Sequence, residues 1–358
     1  MLLVISICAL FVIYGFLIFF EDYISAKQKK LICGATCLLL IIIAGTREVG
    51  IDPDSETYAA SFSNPQGDNI LDTIELSFIL IVNVLNSFSD DVHLLFFFYA
   101  ILGVSLKFFA FRRYDDSWLL MVLMYVSFYF ELHETCQIRA GVLSGCMLLA
   151  IPYIANDKRW MAFLCIVIGT FFHTSGIILL PLLFFSNKPL GRNWKIALAV
   201  AVPVAYMFSG TNLGLEFASE IPYIGNKIEM YSKVAEKGKV IVSSLELFSP
   251  FHLFMVAIFY YLLFWADAIT EKSHYYPIMM KTFGLAIVIY AVFSFIPAIG
   301  ERMGSMYRTV MIVLYPTIIY TLRPKWGGVL LFLLIAFVYL NFSLRNMYGI
   351  SFILSSAR

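Results

Sequence analysis

The first twenty residues, Met1 to Phe20, carry no charged side chain, and further long apolar runs recur to the end of the chain. About 20 apolar residues suffice to cross a bilayer as a helix. Lipid-exposed backbone must satisfy its own hydrogen bonds, which leaves helices or closed barrels. A barrel shows short segments of alternating polarity, and none is present. Of the 358 residues, 61% are hydrophobic and 14% charged, where soluble domains carry roughly a quarter charged residues. The expected fold class is therefore all-α, a polytopic helical membrane protein forming one integral domain over residues 1–358. Met1–Phe20 lacks a basic start and a small-residue cleavage site, so it is read as a retained helix.

Apolar segments fall at 1–20, 31–46, 91–111, 117–132, 135–154, 160–172, 174–185, 195–209, 250–269, 277–299, 303–322 and 326–344. They predict about 12 spans, within a range of about 10–13. The stretch 74–88, IELSFILIVNVLNSF, is short enough to span or to lie in the interface. Basic residues bias loops to the cytoplasm. One arrangement places Lys27 to Lys30, Arg112-Arg113, Lys158-Arg159, Lys188 to Lys195, Lys272, and Arg323 with Lys325 all inside. It begins outside, leaves 74–88 non-spanning and divides 160–185 at His173.

That arrangement gathers the loops near 46–73, 131–139, 172–176, 210–249 and 300–308 on the outer side. They hold arginines and carboxylates at helix ends, where ionisable groups at membrane depth are costly and usually functional. In AGTREVGIDPDSETYAASF, Arg47 is either an anion clamp, offering a planar bidentate grip on phosphate, or a snorkelling residue or local partner of Glu48 or Asp52. Asp52-Pro53-Asp54 could hold a divalent cation, act as general base, or form a turn in which Asp54-Ser55 caps a helix starting near Glu56. In ELHETCQIR, a helical period puts Glu131, Glu134 and Gln137 near one face and makes Thr135 and Arg139 neighbours. His133-Glu134 resembles the start of a zincin motif, but Gln137 replaces the second histidine.

His173 lies beside a polar break, Thr174-Ser175-Gly176, and is either a structural residue or a general base. Glu301-Arg302 and Arg308 flank Tyr307, read as an interfacial ring. The loop 210–249 mixes charges with Tyr223 and Tyr231. The six cysteines lie mostly within apolar segments and read as small core residues. No basic tract indicates nucleic acid, and no nucleotide-binding motif is present.

Arg47 with Val49-Gly50, a following Asp and Tyr58 resembles the first motif of the EpsG family of exopolysaccharide and O-antigen polymerases. Gln137-Ile138-Arg139, Phe172-His173-Thr174-Ser175-Gly176, and Glu301-Arg302 with Tyr307 are similar to its later motifs, in order over most of the chain. Two aspartates, Asp52 and Asp54, stand where the family commonly has one.

The resemblance implies a GT-C-like polymerase of lipid-linked repeat units in the bacterial cytoplasmic (inner) membrane, working on its periplasmic side. It would transfer a growing glycan from undecaprenyl diphosphate to the non-reducing end of a lipid-linked oligosaccharide. Arg47, Arg139 and Arg302 would surround the diphosphate, with Arg308, Glu301 and Gln137 nearby. His173, Asp52, Asp54 or Glu134 would be the base, and Tyr58 and Tyr307 would position lipid or sugar. No cofactor is expected, and a divalent metal at Asp52 and Asp54 is disfavoured. Membrane lipid and a chain-length regulator are the other expected partners. Two alternatives stand: a glycosyltransferase adding single sugars from a polyprenyl monophosphate, and a lipid-oligosaccharide flippase.

Overall fold

The computed structural model describes residues 2–64, 75–114, 118–209, 220, 246–294 and 297–352, and most of the 210–249 loop falls outside them. The described residues form helices and no strands. In chain order these are α1 (Leu2–Phe19), α2 (Ala26–Gly45), α3 (Ser55–Ser63), α4 (Leu76–Asn86), α5 (His93–Phe111), α6 (Trp118–Met124) and α7 (Ile138–Ala155). Then come α8 (Arg159–Phe172), α9 (Arg192–Phe208), α10 (Pro250–Phe264), α11 (Ala266–Thr270), α12 (Tyr276–Val292), α13 (Pro297–Arg308), α14 (Met311–Leu314) and α15 (Lys325–Tyr348). Five of them, α1, α2, α5, α7 and α15, are long and apolar enough to cross a bilayer. The chain is a helical membrane protein.

Burial sorts the bundle. In α7, 83% of the apolar window is enclosed by protein, against 28% in α1. The first therefore forms the centre, while α1 turns Leu2, Val12 and Phe16 outward onto what a bilayer would cover. Packed against α7 are α5 and α8, and α2 lies on α5. Close approach of α5 and α7 depends on small residues. A β-carbon at Gly145 would stand 2.8 Å from Leu106 Cβ, so any larger residue would force the helices apart.

Several apolar segments are interrupted helices. The stretch 74–88 yields the 11-residue α4, about 16 Å long at the usual rise and too short to span about 30 Å of hydrocarbon. Segment 160–185 is α8 followed by a 3₁₀ helix, Thr174–Phe184, with extended backbone at His173 between them. Segment 303–322 divides into the end of α13, α14 and a second 3₁₀ helix, Tyr315–Tyr320.

The consequential break follows α6. It continues as two π turns, Tyr125–Tyr129 and Glu131–Cys136, and stops at Gln137, whose N–H donates to Leu132 O at 2.8 Å. The expectation that Glu131, Glu134 and Gln137 share a face assumed an ordinary helix. The wide turns send Glu131 to Ser343 on α15 and Glu134 to Lys107 on α5.

Candidate active site at the helix breaks

Beyond the end of α2, residues 46–55 form a tightly bonded turn. Arg47 folds back into it. Its Nη1 donates to Ala44 O at 2.7 Å, its Nε to Asp52 Oδ2 at 3.2 Å, and its guanidinium lies 3.6 Å from the Phe96 ring centroid. Both side chains of the Arg47–Asp52 pair are fully buried. The second Asp52 oxygen accepts from the backbone N–H of Asp54 at 3.1 Å and of Ser55 at 2.9 Å. Asp52 therefore caps α3, and the expected capping by Asp54 is corrected: Asp54 stands at the N-cap position with no side-chain hydrogen bond. The physical reason is reach, since Asp52 precedes the orphan N–H groups by two and three residues and turns back onto them. Gly50, at φ 88°, lets the turn reverse. Arg47 Nη2 has no partner among the described residues.

Asp54 is half-buried. Burial and the neighbouring Asp52 charge push its carboxyl up, against the lowering pull of the Arg139 and Arg302 charges. Its carboxylate thus lies within the field of two arginines from distant segments without being locked to either.

A second cluster centres on Glu75, at the N-cap of α4. One of its carboxylate oxygens pairs with Arg139 Nη1. The other accepts from His173 Nδ1 at 2.7 Å, and from Thr174 N–H at 3.2 Å and Thr174 Oγ1 at 3.4 Å. The break at His173 frees the Thr174 N–H for this bond. Burial alone would raise the Glu75 carboxyl, but the His173 hydrogen bond and the Arg139 charge outweigh it and lower it to about 2. Arg139 also lies 5.3 Å from the Phe78 ring centroid and beside the Tyr58 hydroxyl. Tyr58 is buried against Phe78, so it supports Arg139 from within and is closed to a lipid or sugar.

Other expected residues are placed differently. Glu134 is sealed in the core, where Oε1 accepts from Lys107 Nζ at 2.6 Å and Tyr125 OH at 2.9 Å. Lys107 also donates to Gly141 O at 2.7 Å. With both side chains at most 1% exposed, Glu134 is closed to an acceptor hydroxyl, which corrects its reading as a base. Tyr307 is fully buried and donates to Ile178 O. A buried phenol needs a partner, and the 3₁₀ helix supplies a carbonyl, so Tyr307 is a pin rather than an interfacial ring. Gln137 forms the helix break itself and is half-buried. Glu301 pairs with Arg308, while the neighbouring Arg302 is exposed. Among the described residues no group of three or more His, Cys, Asp or Glu side chains is arranged to hold a metal ion.

Two ionisable positions stand outside the residues singled out from sequence. Glu75 is the one charge in IELSFILIVNVLNSF, at its first turn, and Lys107 interrupts the apolar run 91–111. An ionisable group inside an apolar run was the available signal for both.

The arrangement joins the end of α2, the start of α4, the start of α7, the hinge after α8 and the helix α13. All of these segments lie within residues 30–354, which match the model of the EpsG family. The chain belongs to the EpsG family. It is also similar to the amylovoran biosynthesis protein AmsC of Erwinia amylovora, at 20% identity over 282 residues, covering 75% of this chain and 73% of that protein. No solved structure matches. In this EpsG-family chain the motif residues divide by burial. Arg47, Asp52 and Tyr58 are buried supports, whereas Arg139, His173, Asp54 and Arg302 retain exposure.

Proposed function

We propose that this chain polymerises lipid-linked oligosaccharide repeat units on the outer face of a bacterial cytoplasmic membrane, by a GT-C-like arrangement of about 12 spans. The donor is a glycan on undecaprenyl diphosphate, and the acceptor is a sugar hydroxyl at the non-reducing end of a second lipid-linked unit. The observation that carries this reading is Glu75, which holds an imidazole on one oxygen and a guanidinium on the other.

A hydrogen bond donated from His173 Nδ1–H to Glu75 fixes the tautomer and leaves Nε2 as the basic nitrogen. His173 Nε2 takes the acceptor hydroxyl proton as the new C–O bond forms at the anomeric carbon. The bond from that carbon to the diphosphate oxygen breaks, and the diphosphate leaves with the electron pair. Arg139 and Arg302 stabilise its growing charge. Asp54 lies within the field of both arginines. Arg47 holds the turn that carries Asp54. A chain-length regulator would act on the assembled enzyme.

The test is glycan length in cells whose native gene is replaced by Arg139→Ala or His173→Ala. Each variant should insert normally and leave single repeats on the lipid carrier. Long glycan from His173→Ala would remove the proposed base.

A further inference from the structure

A cavity of about 310 Å³ opens beside α13 and is separate in its lining from the Glu75 cluster. Its walls come from the π turns, α10, α12, α13, α14 and α15. Three observations define its chemistry. First, much of the wall is aromatic, with Phe128, Phe251, Tyr290 and Tyr339 among the lining rings. Second, its charges cancel, because Arg308 pairs with Glu301 inside the lining. Third, it contains an unpartnered polar group. His252 is 3% exposed, and its Nε2 has no hydrogen-bond partner among the described residues.

The His252 ring stacks on Tyr290 with centroids 4.5 Å apart and planes 22° from parallel. Stacking occupies a ring face, so the nitrogens are left to bond at the edge. A buried orphan nitrogen is costly when nothing bonds it, which favours a ligand that supplies the missing partner.

We propose that this cavity is the subsite for one uncharged pyranose ring of the lipid-linked saccharide, with His252 as the residue that selects it. The proposal rests on the polymerase reading for the identity of that saccharide. A neutral ring suits a lining whose charges cancel. A diphosphate would meet a carboxylate and an arginine already engaged by it, and a prenyl chain would bury the orphan His252 nitrogen without bonding it. Sugar hydroxyls both donate and accept, so they can bond His252, the Glu301 carboxylate and the Asn346 amide at the exposed rim. Aromatic walls suit the apolar faces of the ring. The volume is near the lower end of ligand pockets, which begin at about 300 Å³, and admits roughly one or two rings. Through α13 the cavity is tied to the diphosphate side: Glu301 and Arg308 face it, while the charge of Arg302 acts on Asp54.

The test uses full-length protein in nanodiscs with two probes: lipid-linked repeat unit from a strain lacking the polymerase, and bare undecaprenyl diphosphate. His252→Ala and the rim variant Asn346→Ala, which removes an exposed side chain and spares the core, are compared with wild type. We expect each variant to bind the lipid-linked repeat about tenfold more weakly, the scale of one lost hydrogen bond, and to bind undecaprenyl diphosphate as wild type does. Equal losses for both probes, or no loss for either, would overturn the subsite. Chain extension by wild type is measured separately. Failed extension with selective binding intact counts against the polymerase reading alone, and normal extension with binding unchanged in both variants counts against the subsite alone.

Discussion

Glu75→Gln separates the two things that Glu75 does. The carboxyl falls from 4.5 to about 2 in the folded chain, a preference for the charged form of about 3 kcal/mol. The Arg139 side of the pair keeps 20% exposure, and solvent screening reduces the figure to about 2 kcal/mol. Gln has the same shape without the charge, so the variant should unfold a few degrees lower at neutral pH. The sign follows from the depressed carboxyl. Its stabilisation is present above about 4.5 and is lost as pH falls toward about 2. Wild type should therefore lose stability across that window more steeply than Glu75→Gln, and the two should converge at its acid end.

Activity should fall further than stability. A Gln amide can donate to His173 Nδ1 as readily as it accepts, which removes control of the tautomer. Losing such an orienting carboxylate elsewhere costs up to about 10⁴-fold; at this partly open site about a hundredfold or more is expected. The assays are thermal unfolding in detergent from pH 7 down and the length of glycan on the lipid carrier. A Glu75→Gln protein that extends glycan at the wild-type rate would refute the dyad, whatever its stability.

Asp54→Asn removes a carboxylate that burial and Asp52 disfavour, so thermal stability at neutral pH should hold or rise while glycan shortens; a lower Tm would contradict that assignment. Lys107→Met leaves Glu134 sealed without its cation, at a cost of about 3–5 kcal/mol, and Lys107→Met with Glu134→Leu should recover most of it, as read by Tm and yield of folded protein. Tyr307→Phe should cost about 1 kcal/mol through the carbonyl of Ile178 and leave glycan length unchanged; short glycan from a well-folded variant would restore Tyr307 to the site.

Much of the architecture could be read from apolar runs because a membrane helix has to be apolar over its length. The short α4 and the break at His173 were visible in the same way, the first by length and the second by the polar residues interrupting it. What the runs concealed was periodicity. Nothing in ELHETCQIR announces π turns, so a 3.6-residue period put Glu131, Glu134 and Gln137 together when the wider turns drive the first two apart. Burial was hidden as well. Arg47 and Arg139 look alike as arginines beside apolar helices, yet one is enclosed by Asp52, Ala44 and Phe96 while the other keeps a partly open face. Glu75 escaped notice because its partners lie 64 and 98 residues away, beyond any local spacing rule.

The helix breaks explain why the exposed groups meet. An interrupted helix leaves backbone N–H and C=O groups unbonded, and in a membrane protein each must find a partner nearby. Asp52 answers the start of α3, Glu75 answers the N–H of Thr174, and Tyr307 answers the carbonyl of Ile178. Once a carboxylate is drawn in to bond a broken backbone, its charge calls for a cation: Arg47 beside Asp52, and Arg139 beside Glu75. The two pairs then differ in what is left over. Asp52 spends both oxygens inside its own turn, so its arginine is enclosed. Glu75 spends one oxygen on a histidine from the neighbouring break, which leaves an oriented imidazole and a partly exposed guanidinium side by side. The first arrangement holds the turn in place. The second is the pair on which the proposed transfer would rest.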